Sequence, residues 1–172
     1  MKMPSEWLGE AAQRRMIDGH AQVMAPVALW AAMSTLAGTR EPNCTLVQAN
    51  LSTGATEWRA LWLVEETIVY ASMIKSVERW TAYSEAEPSD VQPDDTIAWT
   101  RRVKDILRVE LQDVDCKRVR SLGESEGEWR WSVGAVLQFA DAQVQLPLFG
   151  VSESEEADRT VKEFLDALVA RI

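Results

Sequence analysis

The sequence predicts an α+β domain: about seven antiparallel strands in a bent sheet or partly open barrel, closed by a C-terminal helix and preceded by N-terminal helices. Three observations predict it. Short runs between residues 44 and 148 alternate apolar with polar side chains, the two-residue period of a half-buried strand. Turn formers such as Ser52-Thr53-Gly54, Gly123 to Gly127 and Asp141-Ala142 separate those runs. At the end of the chain the period changes, and Val161, Phe164, Leu165, Leu168 and Ile172 fall on one stripe of a helix.

Taken in order, Ser5 caps a helix through Trp7, Leu8, Ala11, Ala12, Arg15 and Met16, and Asp18-Gly19 interrupts it. A second helix starts near Pro26, a residue suited to a first helical turn, and stops at Gly38. Its Leu29, Trp30, Met33 and Leu36 share a face that requires an apolar partner. Cys44 to Leu51 opens the strands. Trp58, Ala60, Trp62 and Val64 then face one way while Arg59, Leu61 and Leu63 face the other. Glu65-Glu66 connects tightly into Thr67 to Met73, and a further short strand is predicted over Val77 to Tyr83.

Residues 84–95 read SEAEPSDVQPDD, with two prolines, five acids and no apolar period, which predicts a solvated loop and the disordered segment of the protein. Beyond it, Thr96 to Thr100, Ile106 to Gln112 and its continuation from Asp115, and Trp129 to Phe139 read as strands. Pro147 places the strand carrying Val144, Leu146 and Leu148 at an edge. Ser152 and Glu155 make a capping-box pattern for the last helix, with Glu153, Glu155 and Glu156 at its positive end.

Composition narrows the function. Apolar residues are 47% and charged residues 26% of the 172, ordinary values for a folded domain. The net charge of -9 opposes nonspecific attraction to nucleic acid and to anionic membranes. Arg101, Arg102, Lys104 and Arg108, with Lys117, Arg118 and Arg120, are the densest cations and read as solvated strand faces. Val23 to Ala37 is nearly free of polar side chains, yet falls short of the roughly 20 residues a membrane-spanning helix needs. Cys44 and Cys116 stand apart with no CxxC, as expected for reduced thiols in a cytoplasmic protein.

No catalytic constellation emerges. His20 is the single histidine and lies beside Gly19 without a motif, so neither a nucleophile–His pair nor a zinc site of nitrogen and sulfur ligands is assembled. Glu65-Glu66 and Asp94-Asp95 are adjacent acids, which on a strand point to opposite faces. Asp113 and Asp115 share a face if extended and suit at most a weak cation site. Phosphate-loop patterns are absent, and no cofactor is implied. Eight tryptophans are many for this length. Trp58, Trp62, Trp129 and Trp131 are expected in the core, whereas Trp80 and Trp99 flank the acidic loop. Those two are the candidate partner-binding residues, since exposed aromatics dominate interface energetics.

Element order carries a resemblance. The stretches ALWLVEETIVYASMI (60–74), VLQFADAQVQLPL (136–148) and EADRTVKEFLDALVARI (156–172) resemble bacterial pleckstrin-homology-like domains, in which a bent sheet is closed at one corner by a C-terminal helix. The resemblance covers residues 43–172 and leaves 1–40 as an added helical segment. It implies a noncatalytic protein-interaction or scaffolding role. The loop LSTGATEWR holds Arg59 as its one cation, which argues against phosphoinositide binding. An acidic decoy of a nucleic-acid-binding protein and a small-ligand carrier are the alternative readings, and a homodimer stays open.

Overall fold

Two hydrophobic clusters, one on each face of a shared sheet, organise the chain. The computed structural model describes residues 16–17, 23–38, 40–119, 128–150 and 154–172. The predicted helix from Ser5, His20, the turn at Gly123 to Gly127 and the cap at Ser152 lie outside them.

Helix α1 (Val27–Ala37) is followed by β1 (Cys44–Ser52), β2 (Ala55–Val64), β3 (Thr67–Lys75) and β4 (Asp95–Arg102), which pair antiparallel in that order as sheet I. Strands β5 (Arg108–Val119), β6 (Glu128–Gln138) and β7 (Gln143–Leu146) form sheet II, and α2 (Glu155–Val169) ends the chain. The architecture is α+β with seven strands. They divide into two antiparallel sheets, not one bent sheet, and the sheets do not close into a barrel.

Strand β2 explains the layering. Its sequence ATEWRALWLV is apolar on both faces over its second half, and residues 60 to 64 are all buried. Trp58, Ala60, Trp62 and Val64 pack with Leu29, Trp30 and Met33 of α1. Leu61 and Leu63 point the opposite way, to Leu137 and Leu146 of sheet II and to Val161, Phe164 and Leu168 of α2. Full burial of each such side chain contributes about 1.5–3 kcal/mol, so both layers are held mainly by apolar area. Helix α1 is apolar nearly all round and docks on sheet I through Leu29, Trp30 and Met33.

Local chemistry fixes the connections. Gly54, at φ 84°, supplies the left-handed conformation in the two-residue turn joining β1 to β2. Glu65, also left-handed at φ 52°, sits in the predicted Glu65-Glu66 turn. The surroundings hold that uncommon conformation: the Asn43 side-chain oxygen accepts from the Glu65 amide at 2.8 Å, and Arg171 donates to its carbonyl at 2.9 Å. At α2 the N-cap is Ser154, whose hydroxyl oxygen accepts from the Ala157 amide at 3.1 Å. The predicted stripe is buried through Leu168, but Ile172 lies beyond the last turn and is exposed. Strand β7 is an edge strand, as Pro147 predicts. No helix among the described residues is long and apolar enough to cross a membrane.

One predicted strand does not form. Residues 77–83 make turns and bends, and the chain then enters a single 3-10 turn at Pro88–Val91 before β4. Val77, Trp80 and Tyr83 recur every third residue rather than every second, which no strand can bury on one face.

Candidate functional site

The two candidate partner-binding tryptophans lie on opposite faces of sheet I, in different clusters. Trp80 is 1% exposed and belongs to the α1-side core, so it is not the surface anchor expected from the sequence. Its backbone N–H donates to Thr56 Oγ1 at 3.0 Å, its carbonyl accepts from Trp58 Nε1 at 2.6 Å, and its own indole donates to Glu85 Oε1 at 3.1 Å. A large ring with every polar atom satisfied in the interior is a packing residue.

Trp99 is half-buried where the sheets meet. Its ring stacks on Tyr70 of β3 with centroids 5.0 Å apart and meets Phe139, just after β6, edge-on at 5.5 Å. The Arg101 guanidinium lies 5.2 Å from the Trp99 centroid and forms a two-pronged ion pair with Asp141 at 2.6 and 3.2 Å. Two of the cations read as solvated strand faces pair with acids: Arg101 joins the two sheets through Asp141, and Arg108 pairs with Glu110 at 3.2 Å.

A second bridge lies along the same face of sheet I. Arg59 donates to Glu57 at 2.7 Å and to the Leu148 carbonyl at 2.6 Å, and its guanidinium covers Phe149 at 4.4 Å. Gln48 accepts from the Leu148 amide, so two β1–β2 side chains grip the segment after β7. Ser72 donates to Glu57 at 3.4 Å. Burial pushes the Tyr70 hydroxyl above its ordinary value, against the charge of Arg59 and a hydrogen bond with Ser72. This network is polar and shared between sheets, but its donors and acceptors serve one another.

A group of exposed apolar side chains lies elsewhere, on β5 and β6. Trp131 was expected inward, and alternation does put it on the face of Ala135 and Leu137, both buried. It is nonetheless 60% exposed, because β5 and β6 continue past the end of β7 and nothing described covers that overhang. Leu111 and Val114 on β5 are exposed to a similar degree, and Leu107 precedes them. The register shifts between Gln112 and Asp115, and Asp113 takes φ 49°. That bulge breaks the alternation that would set Asp113 and Asp115 on one face, and Asp115 accepts from the Cys116 amide at 2.9 Å. Opposite the bulge, a Cβ on Gly134 would sit 3.0 Å from the Gln112 carbonyl and 3.3 Å from that of Leu146, which explains the glycine. Of the four tryptophans expected in the core, Trp58 and Trp62 are there, and the Trp129 side chain lies outside the described set.

Among the described residues no three His, Cys, Asp or Glu side chains gather as metal ligands. Cys44 and Cys116 are free thiols, and burial pushes the Cys44 thiol up, away from a reactive thiolate. No protein-family model matches the chain, and neither a curated protein nor a solved structure matches it.

Proposed function

We propose that the chain is a noncatalytic protein-interaction module of the pleckstrin-homology-like kind, and that its partner adds an extended segment to the free edge of β5 beside Trp131. One observation carries the reading: a tryptophan 60% exposed on a sheet whose outer strand pairs, among the described strands, with β6 alone and carries exposed Leu111 and Val114. Unpaired edge groups give an incoming strand its main-chain hydrogen bonds, and exposed aromatics supply the anchor. Seven strands followed by an amphipathic helix packed on β1, β2 and β6 support the family assignment. Free Cys44 and Cys116 fit a reducing, cytoplasmic compartment.

The test is capture of partners from native lysate by the wild-type protein, by Trp131→Ala and by Leu111→Asp, each variant first shown to keep its circular dichroism and unfolding midpoint. A stoichiometric protein captured by wild type and lost from both folded variants supports the reading. Equal capture by all three removes β5 and Trp131 as the docking surface.

A further inference from the structure

The connection from β3 to β4 is pinched at its base. Ile74 pairs with Asp95, the Asp94 amide donates to the Ile74 carbonyl at 2.8 Å, and the Ser76 amide donates to the Asp94 carboxylate at 2.6 Å. Within the connection, the Lys75 ammonium gathers the carbonyls of Ser89, Asp90 and Gln92 at 3.2, 2.6 and 2.8 Å. The segment therefore has internal order and lies against the α1 side of sheet I through Trp80.

Helix α1 needs something this segment supplies. Its N-cap is Pro26, with no side-chain cap and no acid in the first turn. The first amides of a helix have no partner within it. Both oxygens of Glu85 accept from the Val27 amide, at 3.1 and 3.3 Å, while Oε1 also accepts from the Trp80 indole at 3.1 Å. A second tie runs from the Ala82 amide to the Met24 carbonyl at 3.1 Å.

We propose that residues 76–94 are a strap latched onto the N-terminus of α1 by Glu85, and that protonation of Glu85 tightens the latch. Burial raises the affinity of Glu85 for a proton, opposed by the bonds from Val27 and Trp80 and by the charge of Lys75, and assisted by Asp90. Helix α1 carries no ionisable side chain, so among the described residues Lys75 and Asp90 are the charges that face it. The closed strap binds the proton more tightly than an open strap with Glu85 in water. The proton's contribution to closure is therefore fully present at low pH and is lost as pH rises through the titration of Glu85, which loosens the latch.

Hydrogen exchange by NMR tests this, with the Val27 amide and Trp80 indole as strap reporters and the Trp62 amide as the reporter of global opening. After correction for intrinsic rates, strap protection in the wild type should fall severalfold between about pH 4 and pH 8. Glu85→Gln, which stays neutral and keeps an acceptor oxygen, should remain protected throughout. Glu85→Ala should lose about fivefold to tenfold at every pH, as for a removed helix cap. Flat wild-type protection, equal lability of the Gln and Ala variants, or Val27 exchanging in step with Trp62 in every variant would each overturn the proposal.

Discussion

The hairpins β2–β3 and β5–β6 both read as strands in the sequence and have opposite fates. Strands β2 and β3 pair from Thr56 with Lys75 to Val64 with Thr67 without a shift, and both faces of β2 are covered. Strands β5 and β6 break register at Asp113 and carry Trp131 beyond the reach of β7 and α2. Alternation reports which residues share a face. Whether another element lies over that face depends on the length of its neighbours, which is a tertiary property.

Substitutions at the tryptophans sharpen this contrast most. Trp80→Ala removes a side chain 1% exposed whose indole also donates to Glu85, and should cost about 3–5 kcal/mol in urea unfolding. A value below about 1 kcal/mol would mean that the 76–94 segment is not part of the core. Next in size, Gly134→Ala drives a methyl toward the backbone carbonyls of Gln112 and Leu146 and should cost about 1–3 kcal/mol. If it is neutral, the β5 bulge yields easily and the two hairpins differ less than their registers indicate.

Smaller effects probe the interface of α1 with sheet I. The Ser34 hydroxyl and the indole nitrogens of Trp30 and Trp62 are buried there without a hydrogen-bond partner among the described residues. Ser34→Ala removes an unpaired hydroxyl and places the better helix former, so the midpoint of thermal unfolding should rise, by about 0.5–1 kcal/mol in stability. A fall would reveal a partner for that hydroxyl. Smallest of all, Trp131→Ala should change stability by no more than about 0.5 kcal/mol, as exposed positions do. A loss as large as that of Trp80→Ala would place Trp131 under a covering element.

Much of the architecture was legible. The opposite faces of β2, the turns at Gly54 and Glu65-Glu66, the edge position of β7 and the stripe of α2 through Leu168 all follow from period and turn chemistry. The division into two sheets was not, because the sequence carries no sign of which strand edges stay unpaired. The candidate site was less legible still. Trp80 resembled a surface residue because acids flank it, yet one of those acids, Glu85, bonds its indole in the interior. The three-residue spacing of Val77, Trp80 and Tyr83 was the available signal against a strand. Trp131 carried no such signal, since its exposure follows from the shortness of β7.

Strand β2 is a party wall between two rooms. A side chain enlarged at Ala37 crowds the cluster that holds Trp62, one enlarged at Phe164 crowds the cluster that holds Leu63, and those two β2 residues share a single peptide bond. Mutational effects from α1 and from α2 should consequently fail to add, although the helices lie on opposite sides of the sheet. Evolution can repack either room only with the consent of the other.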